Sequence, residues 1–307
     1  MTMSPTSNNS LAVTIDIEDW YHIPSVCGSP FSAYKGVEEF YNTWTERYDY
    51  LTEPTHRVLN LLNQFNIRAT FFVVADVVNR YPGLVKSIVE QGHEIACHGL
   101  THACKIDPAT KQPLLSQEQF EIQTLHAKQI LEKVSGDKII GYRAPNALIG
   151  GWMIDSLERM GFRYDSSVSV NSLYNKTDSS LSGVSSYPYY PSHGGLEPST
   201  LQRSIVEFPF AYYNLGAKIP TSGGPMLRFL GGRVVYQGIK QCLKRGDSIF
   251  YFHPIDISTE SFPDVGNKRP FYWIVKGKLV EKRVRYILGK FKDRQTATLG
   301  ELVKNSI

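Results

Sequence analysis

The amino-acid sequence predicts an α/β protein built on a mainly parallel sheet, open or closed into a barrel. Two observations carry this. Short apolar or β-branched runs alternate along the chain with stretches of helical period. Acidic, His and Arg residues recur where those runs end, the place where reactive groups gather in parallel α/β sheets.

The elements can be justified in order. Residues 11–17 (LAVTIDI) form an apolar run that suits a buried strand. Pro54 opens a helical pattern reaching about residue 65, and the strand-like ATFFVV follows at 69–74. Pro82 stands where a first helical residue would, and Gly92 stands just past that helix's end. After the short strand 94–97, Ser116 and Gln119 are spaced as a capping box for a long helix ending before Gly136. Further strands are expected at 138–142, 162–165, 204–208 and 248–252, with helices near 152–160 and 234–244. Residues 179–200, rich in Ser, Pro, Gly and Tyr, read as a long functional loop because strand signals resume directly after them. The expected organisation is a flexible tail at 1–10, one (β/α) domain over 11–265, and a basic helical segment at 266–307 packed on it.

With 307 residues, 42% of them hydrophobic, the chain can bury a sizeable core. A net charge of +4 gives no support for nucleic-acid binding. Its four cysteines, Cys27, Cys97, Cys104 and Cys242, form no CxxC pair and read as reduced thiols. The first ten residues are polar, and there is no apolar run long enough to span a bilayer, so a cytoplasmic location is expected.

Four short motifs carry the chemistry. The first strand ends in Asp16-Ile17-Glu18-Asp19-Trp20; three crowded acids repel one another unless a cation sits among them. The third strand runs into His98-Gly99-Leu100-Thr101-His102, whose imidazoles, spaced i and i+4, would share a metal on one helical turn. Two imidazoles and a carboxylate, with positions left for water, make a catalytic metal set. Arg143, ahead of Ala144 and Pro145, ends the next strand and could orient a carboxylate. His253, ahead of Pro254, ends the last strand and could protonate a leaving amine. Singly, each motif is matched by a bland reading such as a solvated turn or a surface Arg. Their joint order along successive strand ends is what chance does not supply.

Taken together, ATFFV at 69–73, GHEI at 92–95 and HGLTH at 98–102, with the first motif, Arg-Ala-Pro and Phe-His-Pro, resemble the signature of the polysaccharide deacetylase family (NodB homology, carbohydrate esterase family 4) over residues 11–257. The DxED form of the first motif is similar to that family's cytosolic branch. The resemblance implies a distorted (β/α) barrel and removal of an N-acetyl group from an acetylamino sugar of a cell-surface glycan or its precursor. By position, it makes Asp16 the general base, His98 and His102 metal ligands, Arg143 the residue that orients the base, and His253 the general acid. Where the family has adjacent Asp residues this chain has Asp16, Glu18 and Asp19, so the third ligand is Glu18 or Asp19. Strand alternation favours Glu18, which falls on the side of Asp16, whereas a strand ending at Asp16 would let Asp19 swing in. The ligand set suits Zn²⁺ and is compatible with Co²⁺, Ni²⁺ or Mn²⁺.

Trp20, Pro145 and Asp165 are candidate substrate contacts, although core packing accounts equally well for Trp20. His93 and Glu94 read as supporting residues, and Asp256 as one that steadies the His253 loop. Lipid-linked and nucleotide-linked sugars both remain open as substrates. Residues 268–294 mix Lys and Arg with apolar residues as a basic amphipathic helix does. Such a helix either lies on the anionic inner face of a membrane or packs on the barrel with a solvated basic face, the latter being expected. The rival chemistry on the same fold is hydrolysis of a formamide, ureide or cyclic imide. A non-catalytic carbohydrate-binding protein is disfavoured, because it would need neither base nor acid.

Overall fold

Seven parallel strands form one curled sheet, in the order β6-β5-β4-β3-β2-β1-β9. They are β1 (Leu11–Ile17), β2 (Thr70–Val73), β3 (Glu94–Cys97), β4 (Gly141–Tyr142), β5 (Tyr164–Asp165), β6 (Val206–Glu207) and β9 (Ser248–Phe252). The computed structural model describes residues 9–29, 31–44, 49–172 and 174–306; residues 1–8 of the expected tail lie outside the described residues. The sheet and its surrounding helices make the distorted (β/α) barrel expected from the sequence. An antiparallel hairpin, β7 (Tyr212–Asn214) with β8 (Lys218–Pro220), follows β6.

Strand parity places everything else. Along β1, Leu11, Val13, Ile15 and Ile17 join Phe71, Val73, Ile95, Phe250 and Phe252 in the large core beneath the outer helices. The alternate residues point into the barrel, where Ala12, Phe72, Ala96 and Ile249 pack together. Register aligns Asp16 with Phe72, Phe72 with Ala96 and Val13 with Phe250. The inner face is therefore largely apolar at mid-strand, and the same parity carries it through Thr14 to Asp16, directly from Ala96 to His98, and through Tyr251 to His253. Parity and register alone bring these polar groups to one rim.

The strands expected at 138–142, 162–165 and 204–208 shrink to two residues each. Arg163 and Tyr164 both donate to the Ile140 carbonyl, so the ladder diverges after a few bonds. Gly141 permits the approach: a Cβ there would stand 1.9 Å from the Tyr164 ring. The capping box on helix Gln117–Ser135 forms as expected, with Gly136 left-handed at its end. Pro82 precedes the short helix Leu84–Val89 by two residues instead of opening it.

The C-terminal residues belong to the barrel. Helix Lys278–Phe291 buries Val280, Val284, Ile287, Leu288 and Phe291 against the protein. Residues 295–297 then hydrogen-bond to Leu11, and helix Leu299–Ser306 plugs the floor, with Leu299 donating to Thr70 Oγ1 and Gly300 to Glu94 Oε2.

Candidate active site

At the C-terminal rim, the Glu18 carboxylate faces both imidazoles of the HxxxH motif. Its Oε1 lies 3.0 Å from His98 Nε2 and 3.0 Å from His102 Nε2. The two histidines are not on a helical turn as expected. They sit in the irregular loop after β3, bent at Gly99 with φ +89°. A Cβ on Gly99 would stand 3.0 Å from the Thr101 carbonyl, so the bend that brings His102 beside His98 calls for glycine.

Each imidazole is oriented through its other nitrogen. His98 Nδ1 lies 2.8 Å from the Arg143 carbonyl, and His102 Nδ1 lies 2.8 Å from the His22 carbonyl. A ring that donates from Nδ1 turns its Nε2 lone pair inward. His102 Nε2 is buried and faces Glu18 Oε1 at 3.0 Å, with no other side-chain partner among the described residues. Three donors about 2 Å from a common centre stand roughly 3 to 3.5 Å apart, so Glu18, His98 and His102 fit a divalent ion. Burial by itself would raise the Glu18 carboxyl, but His102, His253 and His98 outweigh it and hold the group well below the carboxylate range.

Asp19, the alternative third ligand, stands apart. Its carboxylate accepts from the Trp20 N–H at 2.7 Å, from Tyr41 Oη at 2.5 Å and from Tyr81 Oη, in a fully buried pocket. It caps the turn Trp20–His22, which supplies the carbonyl that holds His102.

Asp16 is gripped by Arg143, with Nη1 2.6 Å from Oδ1. The guanidinium is itself fixed: Nη1 donates to Thr14 Oγ1, Nε to the Ser166 carbonyl and Nη2 to Ser166 Oγ, over the face of Phe72. Across the pocket, His253 Nε2 stands 3.9 Å from Asp16 Oδ2 and 3.6 Å from Glu18 Oε1. Its Nδ1 is 2.9 Å from Asp256 Oδ2, and Asp256 is paired at 2.8 Å with buried Arg228, which stacks on Trp273. Burial would lower the His253 imidazole, yet the carboxylates of Glu18, Asp256 and Asp16 push it up to about 9.

The three expected substrate contacts do not line this pocket. Trp20 is wholly buried, 5.0 Å from Trp273 and 5.5 Å from Phe262 between ring centroids. Pro145 packs over Gly99. Asp165 is paired in register with Glu207, and burial pushes both carboxyls up. Their bonds to Ser167 and Val168 fix the strand end that holds Arg143 and Ala144.

The wall is instead made by Tyr251, Phe210, Asn146, Lys176, Tyr272 and Trp273. Four of these are aromatics scattered between residues 210 and 273, and only Tyr251, just ahead of Phe-His-Pro, lies beside a motif. Asn146 had a signal only in its neighbourhood, following Arg-Ala-Pro; it adopts φ +57° in a strained turn, its carbonyl held by Lys176 Nζ at 2.9 Å. His93 and Glu94 lie at the far end of β3 and take no part in the site: His93 Nδ1 accepts from the Ala69 N–H at 3.2 Å.

Fold and site together define an α/β half barrel with a buried carboxylate–imidazole centre at the C-terminal rim of its strands. Residues 40–164 match the polysaccharide deacetylase family, and residues 174–300 match a domain of unknown function, DUF3473. Over residues 40–164 the chain is therefore similar to the polysaccharide deacetylase family. It is 30% identical over 113 residues to a peptidoglycan-N-acetylglucosamine deacetylase of Bacillus cereus, covering 36% of this chain and 49% of the relative. The chain spans about half the length of the curated relatives it matches. Among solved structures, a Mycobacterium smegmatis protein classed as a polysaccharide deacetylase shares the fold with a TM-score of 0.60 at 20% identity, covering 99% of this chain and 92% of that one. Puue allantoinase shares it with a TM-score of 0.57 at 16% identity, covering 98% and 91%. His98, His102 and Arg143 lie within the deacetylase match, whereas Asp16 and Glu18 precede it and His253 falls in the second domain.

Proposed function

We propose that this protein hydrolyses the N-acetyl group of an acetylamino sugar, in a cell-surface glycan or its precursor, with a divalent metal at Glu18, His98 and His102. The observation that carries the reading is the pairing of a carboxylate base with an imidazole acid across one small pocket: Asp16 and His253 stand 3.9 Å apart. A binding protein needs neither.

A divalent ion held there, Zn²⁺ being the best match to two imidazoles and a carboxylate, supplies Lewis acidity that polarises the acetyl carbonyl and makes water more acidic. The chain's own residues do the rest. Arg143 pins Asp16 so that its free oxygen, Oδ2, faces the pocket and takes the proton from the attacking water. The Asn146 turn closes the wall beside the two histidines. His253, with Nδ1 held by Asp256, presents its proton at Nε2. In the metal-free site that group is pushed up to about 9, and with a cation on Glu18 the carboxylates of Asp256 and Asp16 still favour its protonated form, which can hand its proton to the departing sugar amine. Acetate leaves as the second product. Four free thiols, three of them buried, suit a reducing compartment, and we read the protein as cytoplasmic.

Acetate release is the direct test, measured with a panel of N-acetylated sugars and UDP-sugars in the presence of Zn²⁺ or Co²⁺. Metal-dependent release that Asp16→Asn abolishes is the expected result. A protein that binds metal yet releases no acetate from any of them would transfer the reading to non-sugar amides.

A further inference from the structure

The basic C-terminal helix, for which the sequence offered a membrane surface as the less favoured alternative, has its apolar face buried, yet large apolar side chains protrude from the rim beside it. Phe229 is 68% exposed, Phe271 70%, Ile274 79% and Leu279 48%. They are contiguous. The Phe229 and Phe271 rings meet edge-on at 6.2 Å, and helix Gly224–Phe229 packs against both the turn Phe271–Ile274 and helix Lys278–Phe291.

The turn explains the protrusion. Phe271–Ile274 is 3₁₀, and in that geometry side chains at i and i+3 eclipse. Phe271 and Ile274 therefore point the same way, outward, while Tyr272 and Trp273 between them line the catalytic pocket. One short turn thus builds the pocket wall on its inner side and an apolar knuckle on its outer side.

The segment that carries the knuckle is basic between Asp264 and Glu281. Lys268, Arg269, Lys278 and Lys282 are exposed and form no ion pair among the described residues, and no Asp or Glu occurs from Val265 to Val280. Two copies meeting on this surface would oppose eight cations across a patch of four side chains, far short of the roughly 800 Å² per partner that a stable interface buries. Protruding apolar groups flanked by Lys and Arg suit insertion at the headgroup level of an anionic bilayer.

We propose that this rim docks the protein on an anionic membrane surface, through Phe229, Phe271, Ile274 and Leu279 with the flanking cations. The pocket mouth then opens at the headgroup layer. Docking does not rest on the deacetylase reading, and its test reads binding alone.

Full-length protein is sedimented with vesicles of phosphatidylcholine mixed with phosphatidylglycerol, and with phosphatidylcholine alone. The expected result is binding to the anionic vesicles that weakens as salt rises. Phe271→Ser with Ile274→Ser should cut the partition coefficient by roughly tenfold or more, because it removes the inserted groups. Lys278→Glu with Lys282→Glu should cut it by at least about tenfold, since each cation contributes about fivefold. The second pair keeps the proposal testable if the first fails to fold, because an acid at the first helical position is itself favourable. Wild-type protein that does not sediment at low salt, or binding that neither pair weakens, overturns the proposal. A dimer in light scattering that Ile274→Ser dissociates, without vesicle binding, overturns it in favour of self-association.

Discussion

Two buried glutamates, Glu18 and Glu94, occupy opposite ends of the same barrel interior, and their neighbours give them opposite character. Glu18 at the rim meets three imidazoles, and their attraction outweighs burial, so the carboxyl is held well below the usual range. Glu94 at the floor accepts from Thr70 Oγ1, Tyr164 Oη and the Gly300 N–H, all neutral donors, and burial prevails, raising it. Hydrogen bonds alone do not offset the loss of water around a carboxylate; neighbouring charge does. The rim keeps an anion ready for a cation, and the floor uses a carboxyl as a structural clasp.

The largest expected effect lies at the rim. Asp16→Asn removes the base while keeping its shape, and kcat per folded molecule should fall by about 10³-fold or more, with a lower Tm because buried Arg143 loses its counter-charge. A loss under about tenfold would take Asp16 out of the proton transfer.

The next test separates Glu18 from Asp19. Glu18→Gln should lower metal affinity by at least about 100-fold, read as bound metal by mass spectrometry after dialysis. Asp19→Asn should keep its metal and lose stability instead, because the Tyr41 and Tyr81 hydroxyls lose their charged acceptor. Metal lost from Asp19→Asn but retained in Glu18→Gln would reverse the assignment.

At the floor, Glu94→Ala strands three donors and should cost about 2–4 kcal/mol of stability, while kcat per folded molecule stays near wild type. Glu94→Gln should cost less, since it keeps an acceptor oxygen for these donors and removes a carboxylate whose charge burial disfavours. A kcat that falls with Glu94→Ala in fully folded protein would tie the floor to the chemistry and break the contrast.

Much of the rim was legible in the sequence because parity and motif spacing are local. Strand alternation favoured Glu18 on the side of Asp16 but left Asp19 open, because Glu18 lies just past the end of β1, and His98, Arg143 and His253 each follow a recognisable apolar run. What the sequence hid depends on distant packing. Trp20 looked like a sugar platform because an aromatic after catalytic acids suits either role, and only its contact with Trp273, 253 positions later, assigns it to the core. The floor helix and most of the pocket wall have no local signature either, being made where residues 210–306 return to the first strand. Asp165 kept its place next to the site but faces Glu207, whose contribution the sequence did not flag.

The smallest expected effect is a pH dependence in metal-free protein. The folded value of His253 is raised to about 9 from an ordinary 6.5, so protonated His253 adds stability in full below pH 6.5, and that contribution is lost as pH rises through about 9. Glu18 runs the other way: its folded value is depressed, so its contribution is present above its ordinary 4.5 and lost as pH falls through the folded value. Between pH 4.5 and 6.5 both contributions stand, and Tm of the stripped protein should be highest there and decline towards pH 9. His253→Gln should flatten the alkaline decline by a few degrees. Zn²⁺ should flatten it too, because a cation on Glu18 cancels the leading carboxylate attraction that raises His253. An alkaline slope identical in wild type and His253→Gln would mean that the imidazole is not charged in the resting site, and the proton for the leaving amine would then have to come from elsewhere.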